Sequence, residues 1–239
     1  MKIRDLKVKI FADGADLDGI RALAADPLIK GFTTNPTLMR KAGIADYKGF
    51  ALEALKIVPS LPISLEVFAD DFDQMERQAL EIASWGKNVN VKIPVINTKR
   101  QSSAPLVERL SAQGVKLNVT AVFTLDQTRA ITEALDPAVP SIISIFAGRI
   151  ADTGVDPVPH MRAAVDIMKA RPKAELVWAS PRELLNIFHA EEAGCHIITV
   201  THDVLKKLSL IGKDLLGYSL ETVEMFHRDA AAAGYTIST

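Results

Sequence analysis

The chain predicts a (β/α)8 barrel, and three observations carry that expectation. Eight short runs rich in β-branched residues recur along its 239 residues, each followed by a stretch of helical period. The runs are continuously apolar, which suits a parallel sheet covered on both sides rather than a half-exposed antiparallel one. No shift in composition divides the chain, and its length approaches the ~250 residues that such a barrel needs. A doubly wound open sheet has the same periodicity and is the structural alternative. The expected organisation is one barrel domain over 1–239, with a C-terminal helix and tail over 219–239.

The first strand is Val8–Ala12, followed by a helix at Asp16–Ala25. Between them, D-G-A-D-L-D-G at 13–19 resembles a calcium loop, but its acids fall out of register and no glutamate closes it. The second strand, Ile29–Thr33, leads through an extra turn at Pro36–Lys41 to a helix at Tyr47–Val58. The third, Ile63–Val67, precedes Asp71–Trp85, where apolar residues at 72, 75, 79 and 82 make a helical stripe. Val89–Ile93 and Lys116–Val119 follow, with helices at Ala104–Gln113 and Leu125–Leu135. The last three strands are Ile142–Phe146, Leu176–Ala179 and His196–Val200, with helices at Val158–Ala170, Pro181–Ala193 and Asp203–Leu208. A helix at Leu220–Ala233 closes the chain.

Composition narrows the function. The net charge is −1 with no long run of one sign, which argues against a nucleic-acid or membrane-surface partner. No apolar run approaches the ~20 residues of a membrane span. Charges interrupt the first ten residues where a signal peptide would be apolar. A single cysteine, Cys195, forbids an internal disulfide and fits an intracellular, cytoplasmic location. The five histidines show no metal-ligand spacing, and neither a phosphate-binding loop nor a dinucleotide fingerprint is present.

Barrel chemistry sits at the carboxyl ends of the strands. Those ends carry Asp13; Thr33, Thr34 and Asn35; Glu66; Lys92; Asn118 and Thr120; Ser144, Phe146 and Arg149; Ser180 and Arg182; and Thr199. Lys92 is the least expected, since it lies in N-V-N-V-K-I-P-V-I with no carboxylate within five residues. An amine in an apolar setting loses solvation of its charge, and a neutral amine attacks ketones to form a Schiff base. Such chemistry needs a general acid/base, for which Asp13 and Glu66 are suited. Arg149 and Arg182 match a phosphate, while Asn35, Asn118 and Ser144 can hydrogen-bond sugar hydroxyls. Plainer readings exist for each residue. Lys92 can reach water from a strand end, Asp13 can start a turn, Pro36 can open a helix, and Arg149 can be a loop cation. Arg182 in the first turn of a helix is poorly placed against the dipole, which favours an anion partner.

Five segments resemble the transaldolases and their short fructose-6-phosphate aldolase relatives: G-F-T-T-N-P-T-L-M at 31–39, V-N-V-K-I-P at 89–94, L-N-V-T-A-V-F-T at 117–124, S-I-F-A-G-R at 144–149 and A-S-P-R-E at 179–183. The resemblance implies a cofactor- and metal-independent Schiff-base barrel acting on sugar phosphates, commonly as a homo-oligomer. It makes Lys92 the amine, Asp13 the group that handles the hydroxyl proton, and Glu66 with Thr120 the holders of a relay water. Thr34, Asn35, Asn118, Ser144, Phe146 and Ser180 would contact substrate, and Arg149 and Arg182 would grip its phosphate. The implied reaction moves a dihydroxyacetone unit from a ketose phosphate to an aldose phosphate. Glu66 and Phe146, in place of the glutamine and tyrosine of the aldolases, favour that transfer. The alternatives are a lyase that releases dihydroxyacetone and a non-catalytic phosphosugar-binding barrel. The chain departs from the family pattern after Lys92, with Ile96 at a usual threonine and no glycine before Gly114, and at Phe32 and Pro181.

Overall fold

A computed structural model describes residues 3–237. Its strands are β1 (Lys9–Asp13), β2 (Ile29–Thr33), β3 (Ile63–Glu66), β4 (Val89–Pro94), β5 (Leu117–Val122), β6 (Ser141–Ile145), β7 (Ala174–Trp178) and β8 (Ile197–Thr201). Each pairs in parallel with the next, and β1 also pairs with β8, from Lys9↔Ile197 to Asp13↔Thr201. The barrel is therefore closed, which removes the open-sheet alternative. The helices are α1 (Leu17–Ala24), α2 (Pro36–Lys41), α3 (Tyr47–Ile57), α4 (Phe72–Ser84), α5 (Ala104–Ala112), α6 (Leu125–Ala134), α7 (Ala147–Ala151), α8 (Pro157–Met168), α9 (Leu185–Ala193), α10 (His202–Leu205) and α11 (Leu215–Ala232). Local chemistry sets many of their starts. Asp16, Asn35, Asp46, Asp71 and Thr124 each accept a backbone N–H with the side chain at the N-cap.

Strand alternation sorts the barrel interior into layers. The lower layer is apolar: Phe11, Ile142, Val177 and Ile197 pack as one cluster. Gly31 belongs there for a steric reason, since a Cβ at that position would lie 2.6 Å from the Phe11 ring. Two residues further along the same strands, the face turns polar with Asp13, Ser144 and Thr199. The apolar layer thus forms the floor beneath the polar one.

Four elements differ from expectation, and one is the helix expected at Asp203–Leu208, which is α10 to Leu205 and then a 3-10 turn. α9 starts at Leu185 rather than at Pro181, because Ser180 adopts φ 61° and the Asn186 side chain accepts from the N–H groups of Arg182 and Glu183. α7 was not expected, being too short to show an apolar stripe. α11 starts at Leu215 rather than Leu220, because Asp214 caps it through the Gly217 N–H. The chain forms two compact units, one ending at Leu205 and one beginning at Lys206. The first is the barrel; the second holds a 3-10 turn (Lys206–Leu210) and α11. Among the described residues no helix is long and apolar enough to cross a membrane.

Candidate active site

A cavity of about 490 Å³ opens at the carboxyl ends of the strands. It is lined by Asp13, Asn35, Glu66, Lys92, Asn118, Thr120, Ser144, Phe146, Arg149, Ser180 and Arg182, all expected from the sequence, and also by Thr33 and Thr199. Thr34 is the exception. Alternation turns its side chain away from the cavity, where it is fully buried and donates to the Ser64 carbonyl at 3.0 Å. Its backbone carbonyl still serves the site, accepting from Lys92 Nζ at 2.7 Å.

Lys92 is buried, but its setting is polar rather than apolar. The parallel register of β3 and β4 places Glu66 beside Lys92, and Glu66 Oε2 lies 3.0 Å from Nζ. Neither charge could be buried alone without a large desolvation cost. The pair also puts a proton acceptor within reach of an amine that must lose a proton before it can attack. The Tyr47 hydroxyl donates to the Glu66 carbonyl at 3.0 Å and so fixes the end of β3 from the helical layer.

Asp13 Oδ1 accepts from Thr33 Oγ1 at 2.7 Å, and Oδ2 accepts from Asn35 Nδ2 at 3.5 Å. Burial pushes the Asp13 carboxyl above its ordinary range, against the opposing pull of Lys92 and of these hydrogen bonds. Thr33 Oγ1 lies 2.5 Å from Thr199 Oγ1, which links β1, β2 and β8. Asn35 is doubly used, because its carbonyl oxygen also caps α2 through the Leu38 N–H at 3.0 Å.

A second chain of hydrogen bonds crosses from β6 to β3. Ser144 Oγ donates to Asn118 Oδ1 at 2.7 Å, and Asn118 Nδ2 donates to Ser64 Oγ at 2.9 Å. Asn118 keeps one amide hydrogen and one carbonyl lone pair free. The Thr120 hydroxyl is buried with no protein partner among the described residues, which is a rare state for a buried polar atom and fits contact with a bound molecule. It lies within an irregularity in the β5–β6 register between Val119 and Val122, beside Ala121 at φ 57°.

Arg149 lies on α7 and Arg182 in the loop after β7, and the two segments approach closely. Gly148 makes this approach possible, since a Cβ there would lie 1.6 Å from the Ser180 carbonyl oxygen. The Arg149 guanidinium lies 5.7 Å from the Phe146 ring centroid, and that ring packs against Phe123. Arg182 does not lie in a helical first turn as expected, so the dipole argument for its anion lapses. It pairs instead with Asp152, its Nε donating at 2.9 Å, and this holds the Asp152 carboxyl below its ordinary range. Sequence reading missed Asp152, Ser64 and the Thr33–Thr199 contact. Ser64 and Glu66 share a strand face two residues apart, which is a usable signal; the other two had none.

The divergent segment after Lys92 is a closed, internally bonded turn. Ile96 bridges Ser102, and the Asn97 side chain bonds the N–H groups of Lys99 and Gln101. Thr98 ties it to Asp70 through two hydrogen bonds. Beside it lies a cavity of about 510 Å³ lined by Asp70, Asp71, Asp73 and Lys99, separate from the strand-end residues. Among the described residues no group of three metal-ligating side chains could hold a metal ion.

Residues 10–237 match the family model described as transaldolase/fructose-6-phosphate aldolase. A probable transaldolase of Dehalococcoides mccartyi is 34% identical over 202 residues, covering 84% of this chain and 90% of the relative. One from Roseiflexus castenholzii is 38% identical over 201 residues, with 84% and 88% covered. The crystal structure of a putative lyase/mutase from Burkholderia cenocepacia superposes with TM-score 0.60 at 13% identity, over 94% of this chain and 84% of that one, a likeness of fold.

Proposed function

The chain belongs to the transaldolase/fructose-6-phosphate aldolase family, and from that premise we propose that it is a transferase moving a dihydroxyacetone unit from a ketose phosphate to an aldose phosphate. The observation that carries the reading is the buried Lys92–Glu66 pair in the same cavity as Asp13. Lys92 transfers a proton to Glu66, and its amine adds to the ketose carbonyl. The carbinolamine loses water through a relay molecule held by Glu66 and the Thr120 hydroxyl, leaving an iminium. Asp13 then takes the C4 hydroxyl proton. The C3–C4 electron pair moves into the iminium to give an enamine, and the aldose product departs. An acceptor aldehyde enters, the enamine attacks its carbonyl carbon, and Asp13 returns the proton to the new hydroxyl. Water hydrolyses the iminium and frees the product. Arg149 and Arg182 hold the phosphate, with Arg182 exchanging Asp152 for it. Asn35, Asn118 and Ser144 orient the three-carbon unit.

Glu66 and Phe146 support transfer over release, since Phe146 offers no hydroxyl to position a water against the enamine. Borohydride trapping with fructose 6-phosphate should modify Lys92, and an unmodified Lys92 overturns the mechanism. Strong acceptor-independent release of dihydroxyacetone identifies the lyase instead. We read the enzyme as cytoplasmic and homo-oligomeric. The exposed Leu216, Leu220, Val223 and Phe226 on α11 support the second point, and light scattering on the purified chain tests it.

A further inference from the structure

Thr33 and Thr199 sit in the cavity wall without a part in the reaction just described. Both are nearly fully buried, at 3% and 7% exposure. Thr33 Oγ1 lies 2.7 Å from Asp13 Oδ1 and 2.5 Å from Thr199 Oγ1, so the three side chains form one line across three adjoining strands. A hydroxyl has a single hydrogen to donate. While Asp13 is ionised its carboxylate only accepts, so Thr33 must donate to it, and Thr33 can then only accept from Thr199.

We infer that Thr199 is a positioning residue for Asp13, acting through the Thr33 hydroxyl as a reversible two-hydroxyl relay. The inference rests on the reading of Asp13 as the group that takes the substrate proton. When Asp13 gains that proton on Oδ1, its O–H donates to Thr33, Thr33 donates to Thr199, and the Thr199 hydrogen turns toward the cavity. No proton leaves the line; only the sense of donation reverses. The ionised carboxylate is held by a donor that Thr199 polarises and aims, because bonds in a chain strengthen one another. The other groups around Asp13 are Lys92 on β4, Glu66 on β3, the Asn35 amide after β2, and the His202 ring of α10, which lies over Gly14. None of these can replace Thr199, since none bonds Thr33 Oγ1.

The test titrates the Asp13 carboxyl in the full chain by isotope-edited infrared difference spectroscopy, with its band assigned by loss in Asp13→Asn. Thr199→Val should titrate higher by about half a pH unit, about threefold in proton dissociation, as fits a polarising rather than a direct bond. Thr33→Val should move further in the same direction, and Thr199→Ser should titrate as the parent does. If Thr199→Val does not fold, Thr199→Ala carries the same expectation. An unshifted Thr199→Val, a Thr199→Ser that shifts as far as Thr199→Val, or a Thr33→Val shift no larger than that of Thr199→Val, overturns the relay. This titration needs no turnover, so it stands even if borohydride trapping on Lys92 fails and the Schiff-base reading falls. With turnover, the acid limb of kcat should rise with the carboxyl in Thr199→Val and return in Thr199→Ser. A limb that stays in place while the carboxyl shifts overturns the catalytic role.

Discussion

Lys92→Met and Glu66→Gln, made singly and together, measure how dry the central ion pair is. The two charges lie 3.0 Å apart with side-chain exposures of 8% and 16%. At that separation and an effective dielectric of about 20, their attraction is about 5.5 kcal/mol. Desolvation returns a large part of it, leaving an expected coupling of about 2–4 kcal/mol, against about 0.2–1 kcal/mol for an exposed pair. Urea unfolding of the four proteins gives this coupling directly. The Lys92→Met leg also strands the Thr34 carbonyl, which accepts from Lys92 Nζ. That cost appears in both rows of the cycle and cancels. A coupling below about 0.5 kcal/mol, the scale of solvent-exposed pairs, would refute the reasoning that burial makes each partner depend on the other. In the same set, Glu66→Gln should slow adduct formation on Lys92 by about 100-fold, the range of a lost general base.

Asp13→Asn should abolish turnover while raising stability at neutral pH. The carboxyl is raised from its ordinary value of 3.8 by burial, so the folded protein binds the proton more tightly than the unfolded chain does. The parent's stability therefore falls as pH rises through that window, and the gain from Asn should be present above it and vanish below 3.8. Melting curves across pH check this, and an equal gain at low pH contradicts it. Thr120→Val should change stability by less than about 0.5 kcal/mol, because the buried hydroxyl bonds no protein atom among the described residues, yet lower kcat at least tenfold. Unchanged kcat would remove Thr120 from the water relay. Gly148→Ala sets a Cβ against the Ser180 carbonyl and should cost about 3 kcal/mol or more, with weaker binding of phosphorylated substrates. Urea unfolding and KM for phosphorylated against unphosphorylated ketoses report the two effects.

Alternation and spacing along the chain specify eight strands, the helices between them, and which residues face inward. Asp13, Glu66, Lys92, Asn118 and Ser144 were legible for that reason, since each stands at or near the carboxyl end of an apolar run. The family was legible in five ordered segments, which the match over residues 10–237 upholds. The register between strands was not legible. Lys92 has no carboxylate near it in sequence, and its flanking residues there, Val91 and Ile93, are apolar. The β3–β4 register brings Glu66 to it and makes the setting an ion pair. Thr33 and Thr199 meet only because β1 closes the barrel against both β2 and β8. Arg182 meets Asp152 only because Gly148 lets α7 touch the loop after β7 and Ser180 turns left-handed. Side-chain period is a local property of the backbone, so the residues of one strand reveal which face they share. Register, closure and loop approach are set by packing between distant segments, and they alone decided which of those residues touch.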